Sequence, residues 1–370
     1  MIENSNVGRI IADHPPAPGN PRNSEGSFLT LNDGSILFVY TRFEGGDAGD
    51  YAPADIYAMT SEDEGETWSE PEPLLNRTLD NAQNVMSVSL LRMNNGDVGV
   101  FYFLRTNTSE GRPYMRRSSD EGKTWSDPVS CTNTRGVYVK NNDRVIKTST
   151  GRIVVPAAYH RTIVSPDGSE HWDSYAVTYF FFSDDDGKTF QQSEPCYLQA
   201  SRGSTGLQEP GVIELKNGTL YGWARTDVGT QYEMFSKDGG DNWSTPQPSH
   251  FMSPNSPMSM KRLPDGDTLI AIWNPIPNYP GRVKDQGGFF GGRTPLVYAL
   301  SEDEGKSWTR PVIIEDDPLS GYCYTAIHFT KDNQMLLAYC AGGQEDRSTL
   351  VRLRMRKMPV PTMAVVQAAK

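Results

Sequence analysis

The chain is short of the residues that build metal centres and covalent cross-links. Its 370 residues hold only four cysteines, Cys131, Cys196, Cys323 and Cys340, scattered and with no C-x-x-C pair or matching histidine spacing. That excludes a disulfide framework and a zinc site as the organising principle, and no metal or organic cofactor is implied. No Lys/Arg-rich block occurs and the formal net charge is −11, which argues against nucleic acid as a partner. No apolar run reaches membrane-spanning length, so no membrane partner is expected. The opening stretch MIENSNVGRIIADHPP lacks the basic segment and apolar stretch of a secretory signal. As written, the chain reads as cytoplasmic; it reads as periplasmic or extracellular if a signal has been trimmed.

What the chain has in abundance is turns. It contains 34 Gly and 26 Pro, and one pattern, Ser-x-Asp-x-Gly-x-Thr/Ser/Asn-aromatic, occurs five times. The copies are Ser61–Trp68, Ser118–Trp125, Ser183–Phe190, Ser236–Trp243 and Ser301–Trp308, at spacings of 57, 65, 53 and 65 residues. A near-constant period of this size marks a repeat architecture, whose units bury their apolar faces only by stacking. Within each copy the Asp can accept backbone N–H bonds, the Gly supplies a positive φ, and the ring tucks between sheets. The motif is therefore read as structural, and its aspartates are given no chemistry.

Around these turns run alternating, β-branched and aromatic segments. Six hairpins share one register: LNDGSILFVY, MNNGDVGVFY, TSTGRIVVPAAY, LKNGTLYGWA, LPDGDTLIAIW and TKDNQMLLAYC, where Asn333 stands in for the turn glycine. Third strands such as ADIYAMTS and LVYALSED lead into the aspartate turns. Short strands at this spacing argue an all-β chain, and about 62 residues per unit suits four-stranded blades. The expectation is a single six-bladed β-propeller over residues 1–360. NVGRIIAD would close the ring as an outer strand, and residues 361–370 would form a disordered tail.

In such an architecture the first strand of each unit lines the axis. Counting nine residues back from each turn Gly, or from Asn333, gives Glu25, Ser87, Asn142, Glu209, Pro257 and Tyr324 as equivalent positions. Carboxylates and a phenol converging in a concave pocket are the makings of acid/base chemistry. Arg42, Arg105 and Arg225 follow the second strands, with His160 at the comparable place, and Arg293 precedes a third strand. Arginine's planar fork suits a carboxylate ligand. The Gly-rich loop RFEGGDAGDYAPAD offers Asp47, Asp50 and Asp55 as acids.

These motifs resemble the sialidase (neuraminidase) superfamily, whose Asp-box repeats decorate a six-bladed propeller. The resemblance implies an exo-glycosidase acting on a terminal sialic acid or related acidic sugar of a glycan. Arg42-Phe-Glu-Gly-Gly-Asp47 is similar to the family's Arg and Gly-Gly-Asp loop, which implies Asp47 as acid/base. LQEPGVIELKNGTLYGWAR implies Glu209 as partner of the nucleophile and Arg225 as a carboxylate ligand. GGRTPLVYAL implies Arg293 as another, and CYTAI implies Tyr324 as nucleophile, with Tyr322 as the fallback. Arg42 would be a flanking helper. The family's Arg-Ile-Pro motif is missing: Ser24–Glu25 stands in its place and Arg22 lies out of register, so Glu25 would repel a sialic acid carboxylate unless it is protonated or bonded to an arginine such as Arg144. Two other readings stay open. One is an exo-glycosidase for a non-sialic sugar using Glu25 and Glu209; the other is a non-catalytic glycan-binding propeller.

Overall fold

The computed structural model describes residues 7–199, 203–277, 283–285, 288–290 and 292–364. Residues 365–370 of the expected tail lie outside this set. The fold is all-β, with a 3-10 turn at Arg77–Asp80 as its main helical element. Among the described residues no helix is long and apolar enough to cross a membrane.

Four antiparallel sheets have four strands each. The first is Asn23–Thr30, Ile36–Phe43, Ala54–Ser61 and Glu72–Leu75; another is Gln208–Glu214, Leu220–Arg225, Thr230–Ser236 and Gln247–Met252. Ser259–Arg262, Leu269–Trp273, Leu296–Ser301 and Val312–Glu315 make the next. In the last, Cys323–Phe329, Gln334–Cys340 and Leu353–Pro359 are joined at the edge by Arg9–His14 from the other end of the chain. Between the first and second of these, two units merge into one nine-stranded sheet. The merger arises because Val137–Val139 pairs with Ile153–Val164 and also bridges Gly111 in parallel.

The second strands explain the stacking. Ile36–Phe43, Val98–Arg105 and Leu269–Trp273 are buried almost throughout. Alternation cannot leave one face polar when both faces meet a neighbouring sheet. Apolar clusters fill each gap: Leu37, Val39, Leu90, Val100 and Tyr102 between the first two units, and Tyr221, Trp223, Met260, Ala271 and Val297 further along.

The five aspartate turns close in one way. In the first, Ser61 Oγ donates to Asp63 at 2.9 Å and accepts the Gly65 N–H at 2.8 Å, while Asp63 accepts the Thr67 N–H at 2.9 Å and the Thr67 hydroxyl at 2.5 Å. Gly65 has φ 85°, which a side chain would oppose. The motif's ring packs against a neighbouring sheet, as Trp243 does on Phe180 at 3.7 Å.

The third unit departs from the pattern. Its first strand is broken into Val137–Val139 and Ile146–Lys147, and the intervening Lys140–Arg144 plugs the middle of the molecule. Asn142 Nδ2 donates to the carbonyls of Gly26 (2.8 Å) and Tyr324 (3.1 Å). Asp143 accepts from Ser27 Oγ at 2.9 Å and the Ile327 N–H at 3.0 Å, and pairs with Lys261 at 2.8 Å. Arg144 donates to Ser259 Oγ and the Met258 carbonyl. With Lys140, which donates to the Ser87 carbonyl and Ser89 Oγ, four of these five residues tie strands from four other sheet units.

Two outcomes follow. Asn142→Ala leaves two buried carbonyls unpaired and is expected to cost about 1–3 kcal/mol, read as a lower urea midpoint at unchanged m-value; a midpoint equal to wild type contradicts the tethering role. The Thr67, Thr124 and Ser307 side-chain hydroxyls, then the matching amides, hold Asp63, Asp120 and Asp303 at about 2, below the ordinary 3.8. Stability from these groups is complete above about pH 4 and is lost as pH falls through about 2. The urea midpoint should therefore drop over that window, and no proton uptake on unfolding there would refute the linkage.

Candidate functional site

One cavity of about 240 Å³ gathers side chains from across the whole chain, from Glu25 to Leu350. The backbone explains how they reach it. The pairing register slips between Ser24 and Ser27, Met86 and Ser89, Gln208 and Gly211, and Cys323 and Ala326. In each slip a non-glycine residue takes the left-handed conformation: Glu25 (φ 58°), Ser87 (57°), Glu209 (44°) and Tyr324 (58°). A bulge of this kind re-aims one side chain out of the strand's alternation, at a backbone cost of about 1–3 kcal/mol each. All four line the cavity. In the third unit the left-handed residue is Asp143, one place after Asn142, and neither lines it.

One polar group joins Tyr324 with Glu209. The phenol donates to Glu209 Oε1 at 2.8 Å. Arg225 Nη1 lies 2.8 Å from Glu209 Oε2 and 3.4 Å from the phenol oxygen. Gln208 Oε1 accepts from Arg225 Nε and Nη2 (3.1 and 2.7 Å) and fixes its plane. Burial, and then the Glu209 charge, push the Tyr324 phenol well above its ordinary range, so it rests as a neutral donor beside a base. Arg293 lies over the Tyr324 ring at 5.7 Å, donating to Cys323 Sγ and the Asn255 carbonyl at 3.1 Å each.

Across the cavity sits a second cluster built on Arg22, which is 1% exposed and packs on the Phe43 ring. Its guanidinium meets Glu25 at 2.7 Å, Asp50 at 2.7 Å, Ser24 Oγ at 3.0 Å and the Ala48 carbonyl at 3.2 Å. Ser87 Oγ also donates to Glu25. Burial pushes the Glu25 carboxyl up despite this pairing. Below, Lys140 donates to the Ser87 carbonyl (2.5 Å), Ser89 Oγ (3.1 Å) and the Asn141 carbonyl (3.1 Å), and burial pulls it down to about 7. Another part of the wall is His160 packed at a tilt against Trp172, ring centroids 4.2 Å apart, with Nδ1 on the Asp173 carbonyl; burial lowers this histidine to about 4.

Of the residues expected from sequence, Glu25, Glu209, Arg225, Arg293 and Tyr324 come together here, and four do not. Asp47 is exposed, spends its carboxylate on the Gly49 N–H at 2.8 Å, and lies outside the cavity lining. Because Arg22 anchors Ala48 and Asp50, it is Asp50 that the loop delivers. Arg42 lies over the Tyr57 ring at 4.6 Å, away from the lining. Arg144 is engaged by Met258 and Ser259, and Glu25 has Arg22 as its partner instead. Tyr322 is buried against Tyr339 and lines a different cavity. Sequence reasoning did not assign Arg22, Gln208, Lys140 or Trp172 to the site, and it gave Ser87 and Arg105 no role beyond their places in the repeat. Only Ser87 and Arg105 carried a signal, since each stands at a repeat-equivalent position.

The profile of the BNR repeat-like domain matches residues 90–337. The anhydrosialidase of Macrobdella decora is 25% identical over 257 residues, 66% of this chain. The chain spans about a third, 32%, of that relative's length. Among solved structures, a protein of unknown function from Dyadobacter fermentans superposes with TM-score 0.71 at 16% identity, over 95% of this chain and 99% of that one. A leech intramolecular trans-sialidase, solved with 2,7-anhydro-Neu5Ac, gives 0.69 at 16% identity, over 95% and 70%. The intramolecular trans-sialidase of Ruminococcus gnavus, solved with oseltamivir carboxylate, gives 0.69 at 15% identity, over 96% and 98%.

Arg22→Met strands the buried Glu25 charge and should destabilise by about 3–5 kcal/mol. Adding Glu25→Gln should recover most of that loss in chemical unfolding. Equal stability of the single and double variants would show that Arg22 does not neutralise Glu25.

Proposed function

The chain belongs to the BNR repeat-like family of the sialidase superfamily, and on that premise we propose that it is a retaining exo-glycoside hydrolase for a terminal acidic sugar. In this reading its six sheet units close into a six-bladed propeller around the plug, with the Arg9–His14 strand completing the ring. The observation that carries the proposal is the Tyr324–Glu209 hydrogen bond of 2.8 Å, bracketed by Arg225.

Glu209 takes the phenolic proton as Tyr324 oxygen forms a bond to the anomeric carbon. The bond to the aglycone breaks, and its oxygen collects a proton from Asp50. A water then gives its proton back to Asp50 and attacks the same carbon. Tyr324 leaves and recovers its proton from Glu209, so the anomeric configuration is retained. Asp50 shares Arg22 with Glu25; burial opposes the Asp50 charge but Arg22 outweighs it and holds the carboxyl below its ordinary range, so in this reading Asp50 takes up the proton it donates only when an anionic sugar enters beside it. A neutral phenol suits a sugar whose anomeric carbon bears a carboxylate, because an anionic nucleophile would be repelled. Arg225 and Arg293 would hold that carboxylate and orient the ring. The lining sets Arg105, Arg225 and Arg293 against Asp50 and Glu209, with burial pulling Lys140 down to about 7 and pushing Glu25 up, a local positive balance in an acidic chain that favours an anionic sugar.

A second reading is favoured by Glu25, which lines the cavity where the family carries its third arginine. It is an exo-glycosidase for a sugar without an anomeric carboxylate, with Glu25 and Glu209 as the carboxylate pair.

Tyr324→Phe should lower kcat on aryl sialosides by roughly 10³-fold with an unchanged circular dichroism spectrum; wild-type turnover by this variant ends the tyrosine mechanism. Asp50→Asn should slow poor leaving groups more than activated aryl ones, while Asp47→Asn stays within about twofold. A panel adding arabinosides and uronides separates the two readings, and ligand binding without any turnover would favour a glycan-binding propeller.

A further inference from the structure

One side of the cavity is left unused by this mechanism. Arg105, the last residue of Val98–Arg105, lines the cavity with its guanidinium over the rings of Tyr51 (4.3 Å) and Phe103 (5.0 Å). It is 4% exposed, and its Nε and Nη1 have no hydrogen-bond partner. Among the described residues no carboxylate lies within ion-pair distance of it. Asn141, from the axial plug, is 1% exposed and lines the same cavity with Nδ2 also unpartnered. The contrast within one cavity is sharp. Arg22 holds two carboxylates and Arg225 holds one, whereas Nε and Nη1 of Arg105 are desolvated and open, the support for its charge coming from the Tyr51 side chain and from Asp50 beyond ion-pair distance.

Burying a guanidinium with open donors opposes folding, and satisfying them with a ligand removes that penalty at the moment of binding. Stacking against two rings also fixes the plane of the fork, so little freedom is lost when it grips two oxygens of one group. Arg293, by contrast, lies over the Tyr324 ring and contacts Cys323, so the two cations are anchored on different sheets. A neutral hydroxyl would satisfy Asn141 but leave the Arg105 charge uncompensated.

Resting on the glycosidase reading above, we propose that Arg105 and Asn141 form a second recognition subsite, which binds an anionic substituent, carboxylate or sulfate, carried on the sugar ring away from the anomeric carbon. The tilted His160–Trp172 pair forms the apolar wall against which that part of the ring lies. The preferred substrate is accordingly a terminal sugar with an acidic group at this second position.

The test uses the full-length Tyr324→Phe chain, so that turnover does not intrude. Calorimetric titration compares galactose, galacturonate and galactose 6-sulfate; the two anionic sugars distinguish carboxylate from sulfate. At least one should bind about tenfold or more tightly than galactose. Arg105→Gln should abolish that advantage while the melting temperature holds or rises, because a buried, uncompensated charge has gone. Arg293→Gln should leave most of it. The proposal is overturned if Arg105→Gln keeps the advantage within about twofold, if the advantage follows Arg293 instead, or if neither anionic sugar binds better than galactose. Failure of the tyrosine mechanism would appear separately, as turnover by Tyr324→Phe, and would leave the dependence on Arg105 intact.

Discussion

The site depends on one short buried segment, Lys140–Arg144. Apart from Asn141, its side chains reach backbone and side chains of other units: the carbonyls of Gly26, Ser87, Tyr324 and Met258, and the side chains of Ser27, Ser259 and Lys261. Stacked sheets alone fix their neighbours' spacing through apolar contact, which is non-directional. Hydrogen bonds from a common centre add direction. They hold the backbone next to Glu25, Ser87 and Tyr324, where left-handed residues would otherwise relax toward ordinary strand geometry. The broken first strand of the third unit is thus the cost of giving the others a shared reference.

Much of the architecture could be read from the chain before its coordinates, because it is written in local chemistry. The five turns are specified by Ser, Asp, Gly and hydroxyl residues at fixed spacing, and each closes through bonds within eight residues. The hairpin glycines set a common register. That register singled out Glu25, Ser87, Glu209 and Tyr324, which occupy the bulges that face the cavity. Pro257 sits at the matching position of its unit but cannot carry a bulge of this kind, since its ring holds φ negative.

What could not be read is set by long-range geometry. The loop after Phe43 contains several acids in Gly-rich surroundings, and local sequence does not say which one turns inward. That choice is made by Arg22, whose position out of register concealed its role: it reaches both the loop backbone and Glu25. Arg144 is likewise adjacent to the axial position in sequence, yet its guanidinium is directed at Met258 and Ser259. The merger of two units through the Val137–Gly111 bridge left no compositional trace either.

The edge strand Arg9–His14 has a consequence for how the molecule is made. Its partner, Leu353–Pro359, is synthesised more than three hundred residues later, so this sheet cannot be finished until residues 353–359 have been made. Contacts this distant along the chain come late and slowly in folding. Until that clasp forms, the outer edge of Leu353–Pro359 is unpaired, and a nascent or truncated chain carries an open sheet margin that a second copy can occupy.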